Sequence, residues 1–441
     1  MTEPQPAVAI GRARRMTRRA EAAIRSTTSL LGGDLRSYGA ATVADQAARV
    51  VLNVVAAAVL GPVQFGTWIL VSSVVQYSTF TSLGIVNGAA REIPRLHGAQ
   101  DAAGAQDVED VATGAALVTG LLAGVLVAAL SPVLFGSGVV NPVLVGVAVL
   151  LQQGFFLQQI LFRANLRFRA AAGQLAVGAV ALPVVGIPLL RFGPDGLVVA
   201  RIVLNAGVFL LALRRLPRMP RPRWHTATAS GLLRVGAPVM MAGLVFALLI
   251  TIDRWLVDAL LGRTAVGQYG VVTLAIGGLL VVPTFLAQQL YPRLSHERGA
   301  GASGADLLQA ARRFGLTAAL LTGGAGLLAS IAAVIAIPIL LPEYVPAVGA
   351  IVVASAAVAV YAGSAGLGYV LNLTGHQRTL VLAQVAALVL DVMLSVTFTR
   401  AGLGLPSFAM ALLLTFTAYG AGLWVLTRRA ARGDQAGPLA A

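Results

Sequence analysis

The sequence contains neither cysteine nor lysine in 441 residues. Without cysteine there is no disulfide framework, no thiolate metal site and no cysteine nucleophile. Without lysine there is no P-loop, whose lysine contacts nucleotide phosphates, and no lysine Schiff base. The chain therefore does not hydrolyse ATP through a Walker motif of its own.

Charged residues of any kind are scarce. They make up 11% of the chain, against 57% hydrophobic residues and a mean hydropathy of +0.83. This composition excludes a soluble globular protein and is typical of a polytopic membrane protein. The net charge is +15. Because the arginines fall in short gaps between apolar stretches rather than along one stripe, we expect no nucleic-acid partner.

Twelve apolar segments are long enough to cross a bilayer as helices. Their hydrophobicity on all sides favours helices over barrel strands, which would alternate with a period of two. We predict an all-α polytopic membrane protein with twelve transmembrane helices in two pseudo-symmetric six-helix lobes. The predicted spans are 38–60, 66–88, 110–131, 140–162, 171–191, 196–213, 231–260, 265–290, 313–341, 346–371, 379–399 and 403–427.

The arginines are divided unequally between the two sides of the predicted bundle. The termini and the connections on one side carry 26 arginines, whereas the connections on the other side carry Arg191, Arg263 and Arg400. By the positive-inside rule, both termini are cytoplasmic, and we expect a multi-pass protein of the cytoplasmic (inner or plasma) membrane. No uninterrupted apolar region follows the first basic cluster, so no cleaved signal peptide is expected.

An Arg- and Pro-rich interval divides the chain into six spans plus six. We predict a basic cytoplasmic tail, either disordered or an amphipathic helix on anionic headgroups, then an N-lobe, a linker, a C-lobe and a second cytoplasmic tail. The predicted boundaries are 1–36, 37–213, 214–230, 231–427 and 428–441.

The two halves repeat each other in sequence. With an offset of 201 residues, four positions near the first turn of each half correspond, and Pro94-Arg95-Leu96 corresponds to Pro292-Arg293-Leu294 after three residues drop out. Since each half has an even number of spans, the halves are predicted to be parallel repeats related by a pseudo-two-fold axis along the membrane normal. The four pairs are Leu60 with Leu261, Gly61 with Gly262, Gly66 with Gly267, and Trp68 with Tyr269.

Ionisable residues occur inside several spans, where each costs roughly 2.5–3.5 kcal/mol on insertion scales and tends to face the bundle interior or a wet cavity. Asp45, Arg49 and Asn53 share one face of the first span, as Arg254 and Asp258 do on the seventh. The repeat sets Asn53 opposite Arg254. Two polar faces at matching heights predict a central hydrophilic cavity.

We assign this predicted cavity a cationic binding site for an anionic substrate group, with uncharged polar residues in its wall. Its predicted residues are Arg49, Arg254, Arg201, Asn53, Gln76 and Gln152. The candidates for ion coupling or charge pairing are Asp45, Asp253, Asp258 and Asp391.

A structural interpretation competes with this functional one. Asp45 with Arg49, and Arg254 with Asp258, would form intrahelical ion pairs that lower each other's insertion cost, and Arg201 would be an interfacial anchor. Glutamines within the spans would join helices, which is the better interpretation for most of them. Asp391 has no local partner, so it either carries a proton or cation or pairs with another span.

Features of soluble enzymes are missing. The four histidines lie in connections at spacings that build no metal site, and there is no GxSxG motif. We therefore expect no enzymatic activity, no metal and no bound cofactor, with transport depending on the membrane potential or on an H⁺ or Na⁺ gradient.

Short motifs in both halves carry a family resemblance. Their order and spacing resemble the polysaccharide transporter family, the oligosaccharide flippases of the multidrug/oligosaccharidyl-lipid/polysaccharide exporter superfamily, over most of residues 36–427. The motifs are Gly61-Pro62, Phe65-Gly66, Leu83-Gly84, Gly236-Ala237-Pro238, Ile252-Asp253-Arg254, Leu261-Gly262, Val266-Gly267-Gln268-Tyr269, Tyr291-Pro292-Arg293-Leu294, Glu343-Tyr344-Val345-Pro346-Ala347 and Leu371-Asn372-Leu373-Thr374-Gly375.

The resemblance implies a V-shaped two-lobe transporter that moves a polyprenyl-diphosphate-linked oligosaccharide from the inner to the outer leaflet by alternating access. Arg49 and Arg254 correspond in location to the cationic cavity residues of related flippases. The implied partners are the lipid-linked glycan, membrane lipids, and the glycan polymerase and glycosyltransferases that act before and after export.

Two alternatives stay open. Drug antiporters of the same superfamily also have twelve helices and use acidic cation sites, for which Asp45 or Asp391 would serve, so a cation-coupled multidrug or metabolite antiporter is the second hypothesis. A membrane glycan polymerase or transferase is the third, although it would be expected to have a large external loop or clustered carboxylates.

Overall fold

The computed structural model describes residues 6–213, 218, 220–299 and 303–435. Parts of the predicted tails and linker, namely 1–5, 214–217, 219 and 436–441, lie outside these ranges. Within them the regular structure is entirely helical, which confirms the all-α prediction. The α-helices are α1 (Pro6–Tyr77), α2 (Ile85–Gly98), α3 (Ala102–Phe135), α4 (Pro142–Ala164), α5 (Phe168–Leu189), α6 (Gly193–Leu213), α7 (Thr226–Leu249), α8 (Ile252–Leu261), α9 (Arg263–Gly299), α10 (Gly304–Leu340), α11 (Val348–Leu373), α12 (Gln377–Arg400) and α13 (Pro406–Gln435).

Among the described residues, ten helical stretches are long and apolar enough to cross a membrane, so the chain is a multi-pass membrane protein. Two of them, Ser37–Phe80 and Phe168–Leu211, are 44 residues long, and each contains two predicted spans. The first is broken at Gly61, whose φ of 68° and ψ of 172° leave the helix for one residue. The second is broken by the 3₁₀ turn Leu190–Phe192. Each break nevertheless separates two helical runs: Asn53 and Trp68, on either side of Gly61, are hydrogen-bonded at 2.8 Å, so the chain reverses direction there.

The internal repeat is visible in the backbone. Gly262, which corresponds to Gly61, has nearly the same conformation, with φ 85° and ψ 176°. One turn further on, Gly66 and Gly267 lie against each other: a Cβ on Gly66 would be 2.4 Å from the carbonyl oxygen of Arg263, and a Cβ on Gly267 would be 1.8 Å from that of Pro62. Because Pro62 and Arg263 also correspond, the contact is reciprocal and marks where the two repeats cross.

The bundle has two distinguishable ends. We call the end that holds the Arg-rich connections the basic end, and the other the opposite end. At the opposite end the lobes are sealed by Tyr344, from the 3₁₀ helix Pro342–Ala347, which donates a hydrogen bond from Oη to the carbonyl oxygen of Ala57 at 2.9 Å. The Tyr344 ring also packs edge-on against Phe65, with the ring centroids 6.2 Å apart.

Helix α7 belongs to both lobes. Near its start, Ala229 and Leu232 are buried in a core made otherwise of N-lobe residues from α2, α3 and α4. Further along, Gly236 packs backbone-to-backbone on Gly84, which precedes α2. Towards the other end of α7, Phe246 stacks on Tyr361 of α11 with ring centroids 5.2 Å apart. The packing boundary between the lobes therefore falls within α7.

The third predicted span of each half lies in a helix that begins with a side-chain cap. Asp101 accepts a hydrogen bond from the backbone N–H of Gly104 at the start of α3. Ser303 and Asp306 form a reciprocal capping box at the start of α10. Hydrogen bonds from Ser303 hold the pKa of the Asp306 carboxyl below its ordinary value.

Candidate functional site

The first polar cluster lies inside the N-lobe, between α1, α4 and α6. Gln152 is at its centre, because its Oε1 accepts hydrogen bonds from Arg201 Nη2 at 3.1 Å and from Asn205 Nδ2 at 3.2 Å. Arg49 Nε is ion-paired with Asp45 Oδ2 at 2.8 Å, and both charges lie within electrostatic range of Arg201. The structure thus brings Asp45, Arg49, Gln152 and Arg201 together. With two guanidinium groups and one carboxylate, this interior is net positive.

Asn53 links the two halves of α1. Its Oδ1 accepts a hydrogen bond from Trp68 Nε1 at 2.8 Å, across the break at Gly61. Its Nδ2 donates to the carbonyl oxygen of Arg49 at 2.7 Å. Asn53 is therefore bonded on both sides, and it fixes Trp68 beside the N-lobe cluster.

The second cluster joins the two lobes. Arg254 on α8 donates from Nη1 to the Ser73 hydroxyl of α1 at 2.6 Å, and its Nε is buried without an acceptor in the described part of the chain. One turn away, the hydroxyl groups of Tyr77 and Thr251 are 2.5 Å apart. Thr251 lies at the break between α7 and α8. Arg254 therefore contacts the N-lobe at the interface between the two lobes, which we call the seam. Its position is set by the break between α7 and α8.

The third cluster is acidic and lies inside the C-lobe. Asp253 on α8 is 2% exposed and accepts a hydrogen bond from Tyr269 Oη of α9 at 2.7 Å. Asp391 on α12 is fully buried, and its carboxyl group is within hydrogen-bonding reach of that of Asp253. Within the described ranges, no hydrogen bond of normal geometry reaches either oxygen of Asp391 or Oδ1 of Asp253, although the Thr415 hydroxyl lies close to Asp391. This pair therefore has capacity to bind a proton or a cation.

Two expectations about pairing have different outcomes. The intrahelical pair of Asp45 with Arg49 is present, as the i, i+4 spacing predicted. Asp258, by contrast, pairs with Arg263 Nε at 3.0 Å across the Gly262 turn, so the alternative pairing with Arg254 was wrong. Arg254 is thereby left free to bond across the seam.

The glutamines within the spans differ in exposure and in hydrogen bonding. Gln76 is exposed near the end of α1. Gln159 Nε2 donates to Gln174 Oε1 at 2.8 Å, and Gln174 Nε2 donates to Gln158 Oε1 at 2.7 Å, so these side chains join α4 to α5. Their role is the helix-joining one that was expected for most of the glutamines, and Gln152 likewise joins α4 to α6 through Arg201 and Asn205.

Four polar residues of these clusters were not chosen as site residues from the sequence: Ser73, Tyr77, Thr251 and Asn205. For Ser73 and Tyr77 the available signal was the run of polar residues in the second span, and for Tyr269 it was the repeat, which places it opposite Trp68. Both aromatic side chains donate to a polar group on the preceding helix, Trp68 to Asn53 and Tyr269 to Asp253.

Cavities between the lobes are found in the basic half of the bundle. One, of 140 Å³, lies between α1 and α9 beside Thr42 and Thr284. A larger one, of 530 Å³, lies between α2, α7 and the start of α12. The described residues contain no group of three or more His, Asp or Glu side chains arranged to hold a metal ion.

Solved structures with this fold are transporters of the MOP superfamily. An inward-facing multidrug-resistance MATE transporter aligns with a TM-score of 0.73 at 14% identity, covering 89% of this chain and 96% of its own. The outward-facing conformation of such a transporter aligns with a TM-score of 0.66 at 13% identity, covering 91% and 96%. A MOP-superfamily transporter from Pyrococcus furiosus, described as having a binding pocket of reverse polarity that suggests a different function, gives 0.58 at 14% identity over 91% and 96%.

The sequence itself matches one family model. No curated protein matches the chain. The family model described as "Polysaccharide biosynthesis protein" matches residues 55–341, which run from the first span to the end of α10 and include Arg201, Asp253 and Arg254. This chain belongs to the polysaccharide biosynthesis protein family and has the two-lobe, all-helical membrane fold of the MOP-superfamily transporters.

Proposed function

We propose that the protein is a flippase that moves a polyprenyl-diphosphate-linked oligosaccharide from the inner to the outer leaflet of the cytoplasmic membrane. It makes and breaks no covalent bond in this substrate. Partners are the lipid-linked glycan, the surrounding lipids, and the enzymes that build and polymerise the glycan. The observation that carries the proposal is the arginine-bearing polar interior of a chain whose family acts in polysaccharide biosynthesis.

The physical need for such an interior follows from the substrate. A hydroxyl-rich headgroup cannot cross hydrocarbon unaided, since each unsatisfied polar group costs several kcal/mol. Arginine suits its diphosphate, because the planar guanidinium binds phosphate oxygens bidentately and stays charged at low dielectric. In this proposal Arg49 and Arg201 bind the diphosphate, and Arg254 exchanges its bond to Ser73 for a phosphate oxygen. Asn53 and Gln152 hold the arginines in place, and Gln76 contacts the glycan.

The arrangement of the lobes fits loading from the basic end. The opposite end is closed by the Gly66–Gly267 crossing and by Tyr344, whereas cavities lie between the lobes in the basic half. If the positive-inside rule holds, the basic end is cytoplasmic and both termini lie there. Alternating access then requires the contacts at the opposite end to part. With the cytoplasm negative, outward movement of each negative charge is favoured by about 2.3 kcal/mol per 100 mV.

The acidic pair Asp253 and Asp391 favours a second candidate, a cation-coupled antiporter of drugs or metabolites. A proton or a Na⁺ ion between the two carboxyl groups would interact with the oxygens that receive no hydrogen bond from the protein. In a flippase the same pair would couple an ion gradient to export. The two candidates therefore differ in the solute bound at the N-lobe arginines, which is an anionic headgroup in the flippase and a drug or metabolite in the antiporter.

The test reconstitutes the full chain in liposomes with a fluorescent undecaprenyl-diphosphate oligosaccharide and measures the fraction exposed to an external glycosidase. Wild-type protein should equilibrate the leaflets, and Arg254→Ala should not, although both are folded. In cells, deletion of the gene should accumulate the lipid-linked glycan on the cytoplasmic leaflet. Unchanged glycans together with raised drug sensitivity would instead establish the antiporter.

A further inference from the structure

The 530 Å³ cavity at the basic end has a chemical character that the interior clusters do not account for. It is lined by Arg91, Glu92 and Arg95 of α2, by Arg234 near the start of α7, and by Gln377 at the start of α12. Its volume lies within the range of about 300–1,000 Å³ that is typical of ligand pockets. Three guanidinium groups and one carboxylate give it a net positive charge.

The carboxylate is already occupied. Arg95 donates from Nε to Glu92 Oε1 at 2.9 Å, and its Nη2 is also bonded to that oxygen. These bonds lower the pKa of Glu92, so this side chain stays ionised and neutralises Arg95. Among the described residues, the side chains of Arg91 and Arg234 take part in no hydrogen bond or ion pair. The positive charge available to a ligand is therefore that of Arg91 and Arg234.

The position of these two arginines is equally informative. Arg91 is on an N-lobe helix and Arg234 is on α7, and the close packing of Gly84 and Gly88 against Gly236 and Leu232 holds the two helices together. Gln377 adds a C-lobe helix to the same cavity. Basic pockets between helices at a membrane surface suit the headgroups of phosphate-bearing lipids.

We propose that this cavity binds the phosphate of a membrane lipid, held between Arg91 and Arg234, at the basic end of the seam. The guanidinium groups bind phosphate oxygens by charge-assisted hydrogen bonds, and Gln377 donates a further one. Two lipids carry this chemistry: a polyprenyl diphosphate and an anionic phospholipid. If the source is the polyprenyl diphosphate, which rests on the proposed function, the cavity is where the substrate first docks before it reaches Arg49 and Arg201.

The experiment uses the full chain in nanodiscs of phosphatidylcholine and measures bound lipid by native mass spectrometry. Undecaprenyl diphosphate and phosphatidylglycerol are titrated separately, with inorganic pyrophosphate as a headgroup competitor. The variant is Arg91→Gln with Arg234→Gln. The control, Arg378→Gln with Arg429→Gln, removes the same charge at the same end but outside the cavity.

The double variant should bind at least one lipid about tenfold or more weakly, because the loss of one charge-assisted hydrogen bond raises the Kd by about that factor. The control should bind like wild type. Weaker binding of undecaprenyl diphosphate identifies the docking substrate, and weaker binding of phosphatidylglycerol alone identifies a structural phospholipid. Arg91→Lys with Arg234→Lys keeps the charge and should be intermediate, which also guards against a folding defect.

Unchanged binding of both lipids by the double variant overturns the inference. If the wild-type protein in the same preparation flips the glycan, the proposed function stands without this cavity. If binding depends on Arg91 and Arg234 but the wild-type protein flips nothing, the cavity stands and the proposed function fails.

Discussion

The two lobes share a helical plan but differ in the polar groups that they bury. In the N-lobe cluster, Gln152 accepts bonds from Arg201 and Asn205, and Arg49 is neutralised by Asp45, whereas the neighbouring buried Gln153 has no hydrogen-bond partner among the described residues. In the C-lobe, Asp391 is fully buried and receives no hydrogen bond of normal geometry from the described residues, as is also true of the Ser395 hydroxyl. The N-lobe cluster is net positive, whereas the C-lobe cluster consists of two carboxyl groups.

Under the proposed function, this difference would mean a division of labour between the repeats. A positive interior with satisfied arginines is rigid and suits an anionic headgroup. An acidic interior with unsatisfied oxygens is a high-energy arrangement until a proton or cation enters, so its occupancy can bias which conformation is populated.

The strongest test removes the N-lobe cations. Replacing Arg49 and Arg201 together by Gln should lower the initial flipping rate at least about 30-fold, because truncating a buried, hydrogen-bonded charge costs about 2–5 kcal/mol. The matched C-lobe change, Asp253→Asn with Asp391→Asn, should leave headgroup binding within about threefold. An equal loss of headgroup binding in the two variants would contradict the division of labour.

The second test addresses the place where the repeats are alike. Gly267→Ala puts a Cβ 1.8 Å from the carbonyl oxygen of Pro62, and Gly66→Ala makes the reciprocal clash. Either should cost about 1–3 kcal/mol of stability through overpacking and should favour separation of the lobes at the opposite end. Cross-linking of cysteines introduced at that end would measure the separation. Gly278→Ala on the same helix, with no atom within 4 Å of its Cβ, should change neither.

A third test makes one chemical change in both lobes. Asp391→Asn supplies an N–H₂ donor to Asp253 and should raise stability by about 1 kcal/mol, whereas Asp45→Asn deprives Arg49 of its counter-ion and should lower it by about the same amount. Thermal unfolding of the two variants in one detergent would measure this. If the two variants shift the Tm in the same direction, the proposed electrostatic contrast between the lobes is wrong. Asp391→Asn should also abolish any dependence of transport on pH or Na⁺.

The smallest effect is expected from charges outside the seam. The pKa of Asp306 is lowered in the folded protein. Its contribution to the free energy of unfolding is therefore present above the ordinary carboxyl pKa and is lost as the pH falls through the lowered value. Ser303→Ala should speed amide hydrogen exchange in the first turn of α10 at neutral pH, and the difference from wild type should shrink in acid. Flipping should be unchanged. A transport defect in this variant would mean that distant charges also matter.

The sequence predicted what depends on neighbours along one helix. Hydropathy indicated the spans, the 201-residue offset indicated the paired breaks at Gly61 and Gly262, and the i, i+4 spacing predicted the pair of Asp45 with Arg49. The two breaks inside the 44-residue stretches lie at or beside the gaps predicted between spans, at 61–65 and 192–195.

Contacts between distant segments could not be predicted in this way. Arg254 bonds to Ser73, 181 positions earlier, and Asp253 faces Asp391 on a helix that follows much later. Which partner a buried charge chooses depends on how the helices pack, and periodicity carries no information about that. The same reasoning explains why Asp258 was assigned to Arg254 as an alternative when Arg263, across a glycine turn, was nearer.

Because α7 packs against both lobes, it affects how the protein assembles. During synthesis the N-lobe is complete before α7 emerges, and the apolar surface that Ala229 and Leu232 later cover is exposed until then. The arriving helix therefore finds a ready docking surface on the first lobe before any of its own lobe exists. The first half thus acts as a template on which the second is built, and the order of the two repeats in the gene becomes part of how the protein folds.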